Sequence, residues 1–97
     1  MLPVNYLPGA RRDFDESFEW YADRSPIAAA RFTGAIDAAV KKISGGSSIL
    51  PYVDQRHQEC PVKRFPFRVV FRQDDSQILI VAIAHTKRRR NFWQYRE

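Results

Sequence analysis

Apolar residues recur every three or four positions as far as residue 44 and every second position from residue 67, with Gly45-Gly46 between the two regimes. This change of period constrains the fold more than any single motif. A helical spacing does not line one face of a strand, and a strict alternation does not line one face of a helix. In the first regime Phe14, Phe18 and Tyr21 or Ala22 follow one another at i, i+4 and i+7 or i+8, which predicts an amphipathic helix from about Ala10. Asp13, Asp15, Glu16 and Glu19 fall toward its first half, where the helix dipole favours anions. Arg24-Ser25-Pro26 ends it, with Ser25 suited to cap a second helix and Pro26 to open it. That second helix runs from about Pro26 to Ser44, with the stripe Phe32, Ile36, Ala39/Val40 and Ile43. Lys41 and Lys42 suit its last turn, and Gly45-Gly46 suits its C-cap. So short a joint predicts an antiparallel helical hairpin.

The second regime reads as strands. Phe67, Val69 and Phe71 alternate with Arg68, Val70 and Arg72, and residues 73–77 form a polar hairpin turn. Ile78 to Ala84 is apolar at every position, as for a central strand covered on both faces. A further strand is expected within residues 54–65, limited by Pro61, after a linker from Ser47 to Pro51. A short first strand is expected over residues 2–7, stopped by Pro8-Gly9, and a short helix near residues 88–96. The order is β-α-α-β-β-β. The expected fold is α+β, a helical hairpin packed on a small, mainly antiparallel sheet.

Ninety-seven residues correspond to a single domain spanning 1–97. The longest run free of charges and amides in the second half is far shorter than the roughly 20 residues a membrane span needs. The N-terminus lacks the basic and apolar regions of a secretory signal, and the lone Cys60 cannot form an internal disulfide, so a cytoplasmic location is expected. His57, Cys60 and His85 are too few and too scattered for a zinc site, and no glycine-rich phosphate loop is present, so no cofactor is expected. Cys60 reads as a small buried or edge thiol rather than a nucleophile.

The formal net charge is +5, and it resides entirely in the second half of the chain. Residues 1–48 balance six basic against six acidic side chains, whereas residues 49–97 hold ten against five. Lys87, Arg88, Arg89, Arg90 and Arg96 against Glu97 concentrate +4 in the last fourteen residues. Such a field suits a phosphate backbone, an anionic protein or an acidic disordered segment. A hairpin that turns near residues 74–76 sets Arg68 close to His85, on the parity of Leu79, Val81 and Ile83, with Arg88–Arg90 just beyond. Arginines, a histidine, Trp93 and Tyr95 can bind phosphates and stack bases. They could also cleave RNA without a metal, with the 2′-hydroxyl as nucleophile, His85 moving a proton, and Arg68 and Arg88 stabilising the phosphorane. The same residues equally admit structural roles: Arg68 paired with an acid beneath the sheet, His85 capping a strand, Trp93 and Tyr95 as core or lid.

Four motifs in register resemble the RelE/ParE superfamily of bacterial toxin–antitoxin toxins. They are Trp20-Tyr21 followed by Ser25-Pro26-Ile27-Ala28-Ala29-Ala30-Arg31-Phe32, Arg64-Phe65-Pro66-Phe67-Arg68-Val69-Val70-Phe71-Arg72, Ala82-Ile83-Ala84-His85-Thr86-Lys87-Arg88-Arg89, and Phe92-Trp93 with Arg96. The resemblance covers nearly the whole chain. It implies a toxin neutralised by a cognate antitoxin, whose acidic segment folds on binding. The Trp-Tyr and Arg-Phe-Pro-Phe motifs are similar to the ParE-like branch, which implies inhibition of DNA gyrase, with Arg88, Arg89, Arg90, Trp93, Tyr95 and Arg96 as target-binding residues. The alternative is a RelE-like, ribosome-dependent mRNA endoribonuclease. For that branch Arg68 and Arg88 match the two phosphate-binding arginines and His85 resembles histidines of related nucleases. The branch's catalytic tyrosine has no clean match, since Trp93 takes the aligned place and Tyr95 lies two residues on, and its lysine patch is reduced to Lys63. A non-toxic basic RNA-binding module is the second alternative.

Overall fold

The computed structural model describes residues 2–46 and 49–97. Its elements are β1 (Val4–Tyr6), α1 (Pro8–Arg24), α2 (Pro26–Gly45), β2 (Gln58–Pro61), β3 (Phe67–Gln73), β4 (Ile78–His85) and a terminal 3-10 turn (Gln94–Arg96). The architecture is α+β, in the expected order. Ser47 and Ser48, the start of the expected linker, lie outside the described residues.

The first helix begins two residues earlier than its apolar spacing indicates. Pro8 sits at the first helical position, where its missing N–H costs no hydrogen bond, so Pro8-Gly9 opens α1 rather than stopping β1. Ser25 alone joins the helices. Its N–H donates to the Tyr21 carbonyl at 2.8 Å and closes α1, while its hydroxyl accepts from the Ala28 N–H at 3.2 Å and caps α2. The buried stripe of α2 is Ala29, Phe32, Ile36, Ala39 and Ile43, and Gly46 takes the positive φ of 148° that ends it. Phe32 stacks on Phe14 of α1 at 5.5 Å and on Tyr21 at 5.1 Å.

The sheet order is β1-β4-β3-β2. β1 runs parallel to β4, and the other two pairings are antiparallel. The β3–β4 register pairs Phe67 with His85 and Val70 with Ala82, then shifts so that Phe71 pairs with Ile80 and Val81 is the extra residue of a bulge. The bulge reverses the expected parity. Ile83, Ile80 and Ile78 join the core against the helices, whereas Val81, Ala82 and Ala84 join a second cluster on the far face with Val70 and Trp93. His85 therefore shares a face with Ile83 but not with Leu79 or Val81.

β4 is covered on both faces, as its composition requires, but by different means. The helices cover one face. The other lies under the C-terminal segment, with Leu7 and Val53 at its margin. That segment is not the expected helix over 88–96. Asn91 adopts a left-handed φ of 67°, which interrupts any continuous helix and leaves only the 3-10 turn. Among the described residues no helix is long and apolar enough to cross a membrane.

Candidate functional site

The basic end of the molecule is built where β4 stops. Thr86 N–H donates to the Pro66 carbonyl at 2.9 Å, and Arg88 N–H to the His85 carbonyl at 3.0 Å, which turns the chain back over the sheet. His85 stabilises this turn with its side chain. Its Nδ1 accepts from the Lys87 N–H at 3.0 Å, which puts any ring proton of the neutral form on Nε2, and its ring meets Phe67 edge-on at 4.9 Å. Arg68, one position along the ladder and on the opposite face, lies 3.6 Å from Glu59 of the neighbouring strand. Arg68, His85 and Arg88 nonetheless border one hollow, together with Arg89, Arg90 and Trp93. It measures about 20 Å³, room for about one water molecule.

The six residues expected to contact a target divide in two. Trp93 is only 5% exposed, packs in the cluster beneath the tail and lies 4.7 Å from the His57 ring. Arg96 is held inside the fold by a bidentate pair with Asp13, at 2.6 and 2.9 Å. Arg88, Arg89, Arg90 and Tyr95 are exposed, Tyr95 at 86%. Arg88 stacks 3.7 Å over the Phe92 ring and lies 3.6 Å from Asp13. Arg89 and Arg90 have no ion-pair partner among the described residues, so their charge faces solvent.

Two anchors outside the expected site residues hold this segment down. One is Asp13, 4% exposed, which besides its arginines accepts from the Ile83 N–H at 3.0 Å. The signal was present: Asp13 lies three residues after the buried Ala10, so it falls on the apolar side of α1, where a carboxylate requires a partner. The other anchor is Glu97, paired with Arg72, with His57 Nε2 at 2.6 Å and with Arg56 at 3.8 Å. The other ring nitrogen of His57 faces both Asp54 carboxylate oxygens at 3.0 Å. Ionised carboxylates only accept, so both contacts are hydrogen bonds only when the ring is an imidazolium. Burial pushes the Glu97 carboxyl up, but the hydrogen bonds and charges of His57 and Arg72 outweigh it and hold the group below its ordinary 4.5. The Glu97 hydrogen bond in turn raises Arg72. Burial likewise pushes Asp54 up, and hydrogen bonds from the His57 and Arg56 N–H groups and the His57 ring bring it below its ordinary 3.8. Cys60 is fully buried in the core and its thiol is raised by that burial, the environment of an inert sulfur.

Among the grooves that border the helices, two lie beside the β3 end of the sheet. One, about 610 Å³, runs between α1 and the ends of β3 and β4, lined by Trp20, Tyr21, Phe67 and His85. The other, about 690 Å³, is lined by Ala35, Ala38 and Phe65 together with Arg31, Lys63 and Arg64.

No curated protein matches the sequence. Among solved structures, one described as the chromosomal ParDE TA system from P. aeruginosa shares the fold, with a TM-score of 0.70 at 19% identity over 90% of this chain and 98% of that one. The family model described as the ParE toxin of the type II toxin–antitoxin system parDE matches residues 4–90. Nearly the whole chain, from the first strand to the arginine cluster, is thereby accounted for, and the protein belongs to the ParE toxin family.

Proposed function

We propose that the protein acts as a ParE-like toxin that inhibits DNA gyrase through its basic C-terminal end and is neutralised by an antitoxin with an acidic segment that folds on binding. The observation that carries this reading, beside family membership, is the exposed Arg88-Arg89-Arg90 cluster on a tail anchored to both sides of the fold. An inhibitor needs a rigid, charged contact surface and no proton-transfer group. The groove lined by Ala35, Ala38 and Phe65 with Arg31, Lys63 and Arg64 supports the antitoxin part, because an amphipathic acidic helix matches both its apolar and its basic lining. Relaxed plasmid, purified gyrase and increasing amounts of the protein test the target. Supercoiling stops under this reading and resumes when the antitoxin is added.

The hollow shared by Arg68, His85 and Arg88 favours a second reading, an mRNA endoribonuclease acting on the ribosome. It ranks second because Arg68 is paired with Glu59, His85 Nδ1 already accepts a backbone N–H, and the hollow holds a water rather than a nucleotide. Ribosome toeprinting with the same preparation separates the two: cleavage at codons with unaffected supercoiling selects the nuclease.

A further inference from the structure

Arg96 reaches α1 through a socket of small and acidic residues. Its Nη1 donates to Asp13 and to the Val81 carbonyl, at 2.6 and 3.0 Å, and its Nη2 donates to the second Asp13 oxygen at 2.9 Å. Gly9, one turn before Asp13, supplies the space. A Cβ there would stand 2.6 Å from Arg96 Nε and 2.8 Å from its Cζ, and that guanidinium can step aside only by giving up some of its three hydrogen bonds. Phe92 closes the socket, with the Arg96 and Arg88 guanidinium carbons 5.1 and 3.7 Å from its ring centre. One buried carboxylate thus faces an arginine on either side of the segment that carries Arg89 and Arg90. It holds both arginines while leaving net positive charge, and the Arg88 side chain stays 52% exposed.

We propose that Asp13 is a positioning residue of the toxin: through Arg96 and Arg88 it fixes where the exposed arginines stand, and growth arrest depends on it although it touches no target. This rests on the reading of Arg88–Arg90 as target contacts. Asp13→Asn tests it, since an amide oxygen can still accept from the Ile83 N–H while the charge that holds the arginines is gone. Gly9→Ala is the second variant. It leaves the carboxylate in place, favours the helix and displaces the same guanidinium. In both, amide-exchange protection at Gln94 and Arg96 should fall at least tenfold more than in β3 and β4. The Trp93 indole N–H resonance should move toward that of a free indole while that of Trp20 stays. The amount of protein needed for growth arrest should rise at least tenfold. Tail protection unchanged in both variants overturns the proposal, as does loss shared equally by tail and sheet. A released tail with undiminished arrest sinks the positioning role alone. A wild-type chain that arrests nothing sinks the toxin reading and this inference with it.

Discussion

The two faces of the sheet are closed by opposite means. Toward the helices, Phe32, Ile36 and Ile43 pack on Val69, Phe71 and Ile80, and the only chemistry required is apolar shape. On the far face Val70, Val81, Ala82 and Ala84 lie under a short tail whose own apolar contribution is Trp93 with Phe92. Two aromatic side chains do not fasten an irregular segment. The additional hold comes from Asp13 with its arginines on one side and from His57, Arg72 and Glu97 on the other. The helix-side core is therefore a matter of stability, whereas the tail side combines stability with the presentation of charge.

The largest expected effect lies on the helix side. Phe32→Ala empties the centre of an aromatic cluster and should cost about 3–5 kcal/mol, read by chemical denaturation. An effect below about 1 kcal/mol would remove the distinction between the faces. On the tail side, Arg96→Ala leaves the Asp13 carboxylate buried without its bidentate partner, an imbalance worth about 3 kcal/mol unless the tail lifts and lets water in. The predicted outcome is that lifting, seen as increased acrylamide quenching of Trp93 with a smaller loss of global stability than Phe32→Ala produces. His57→Gln should be milder, about 1–2 kcal/mol, because it removes hydrogen bonds to two carboxylates of which Asp54 is partly solvated.

The tail side should also respond to acid. Glu97 titrates below its ordinary value in the folded protein, so its contribution is fully present above pH 4.5 and is lost as the pH falls through its lowered folded value. The stability difference between the wild type and Glu97→Gln should accordingly shrink as the pH falls below 4.5. A difference that grows in acid would contradict the pairing. At the small end, Tyr95→Ala should change stability by less than about 0.5 kcal/mol, since the ring is 86% exposed.

The helix side was legible because periodicity records it. The stripe of α2 and the alternation of β3 each mark which way the side chains face, and Ser25-Pro26 and Gly45-Gly46 mark where helices start and stop. Three features escaped that reading for physical reasons. Pro8-Gly9 is as good a helix start as a turn, and the Arg11 N–H bonded to the Leu7 carbonyl, the first turn of α1, decides between them. The β4 bulge leaves no trace in a strand that is apolar at every position, because phase cannot be read without alternation. The anchors of the tail join residues far apart in the chain, Asp13 to Arg96 and His57 to Glu97, and no local spacing encodes such a pair. The candidate site was legible as a cluster of residue types. Which of them face solvent depended on those distant partners, so Trp93 and Arg96 proved to be inside the fold while Arg89, Arg90 and Tyr95 stayed outside it.

The most direct test of the central claim compares the wild type with the Arg89→Ala/Arg90→Ala double variant in a gyrase supercoiling assay. Both side chains are solvent-facing, so the variant should fold as the wild type does. The account predicts that the wild type blocks supercoiling and that the folded variant needs at least tenfold more protein to do so. Equal inhibition by the two proteins, or supercoiling that proceeds unhindered in the presence of the wild type, would contradict it.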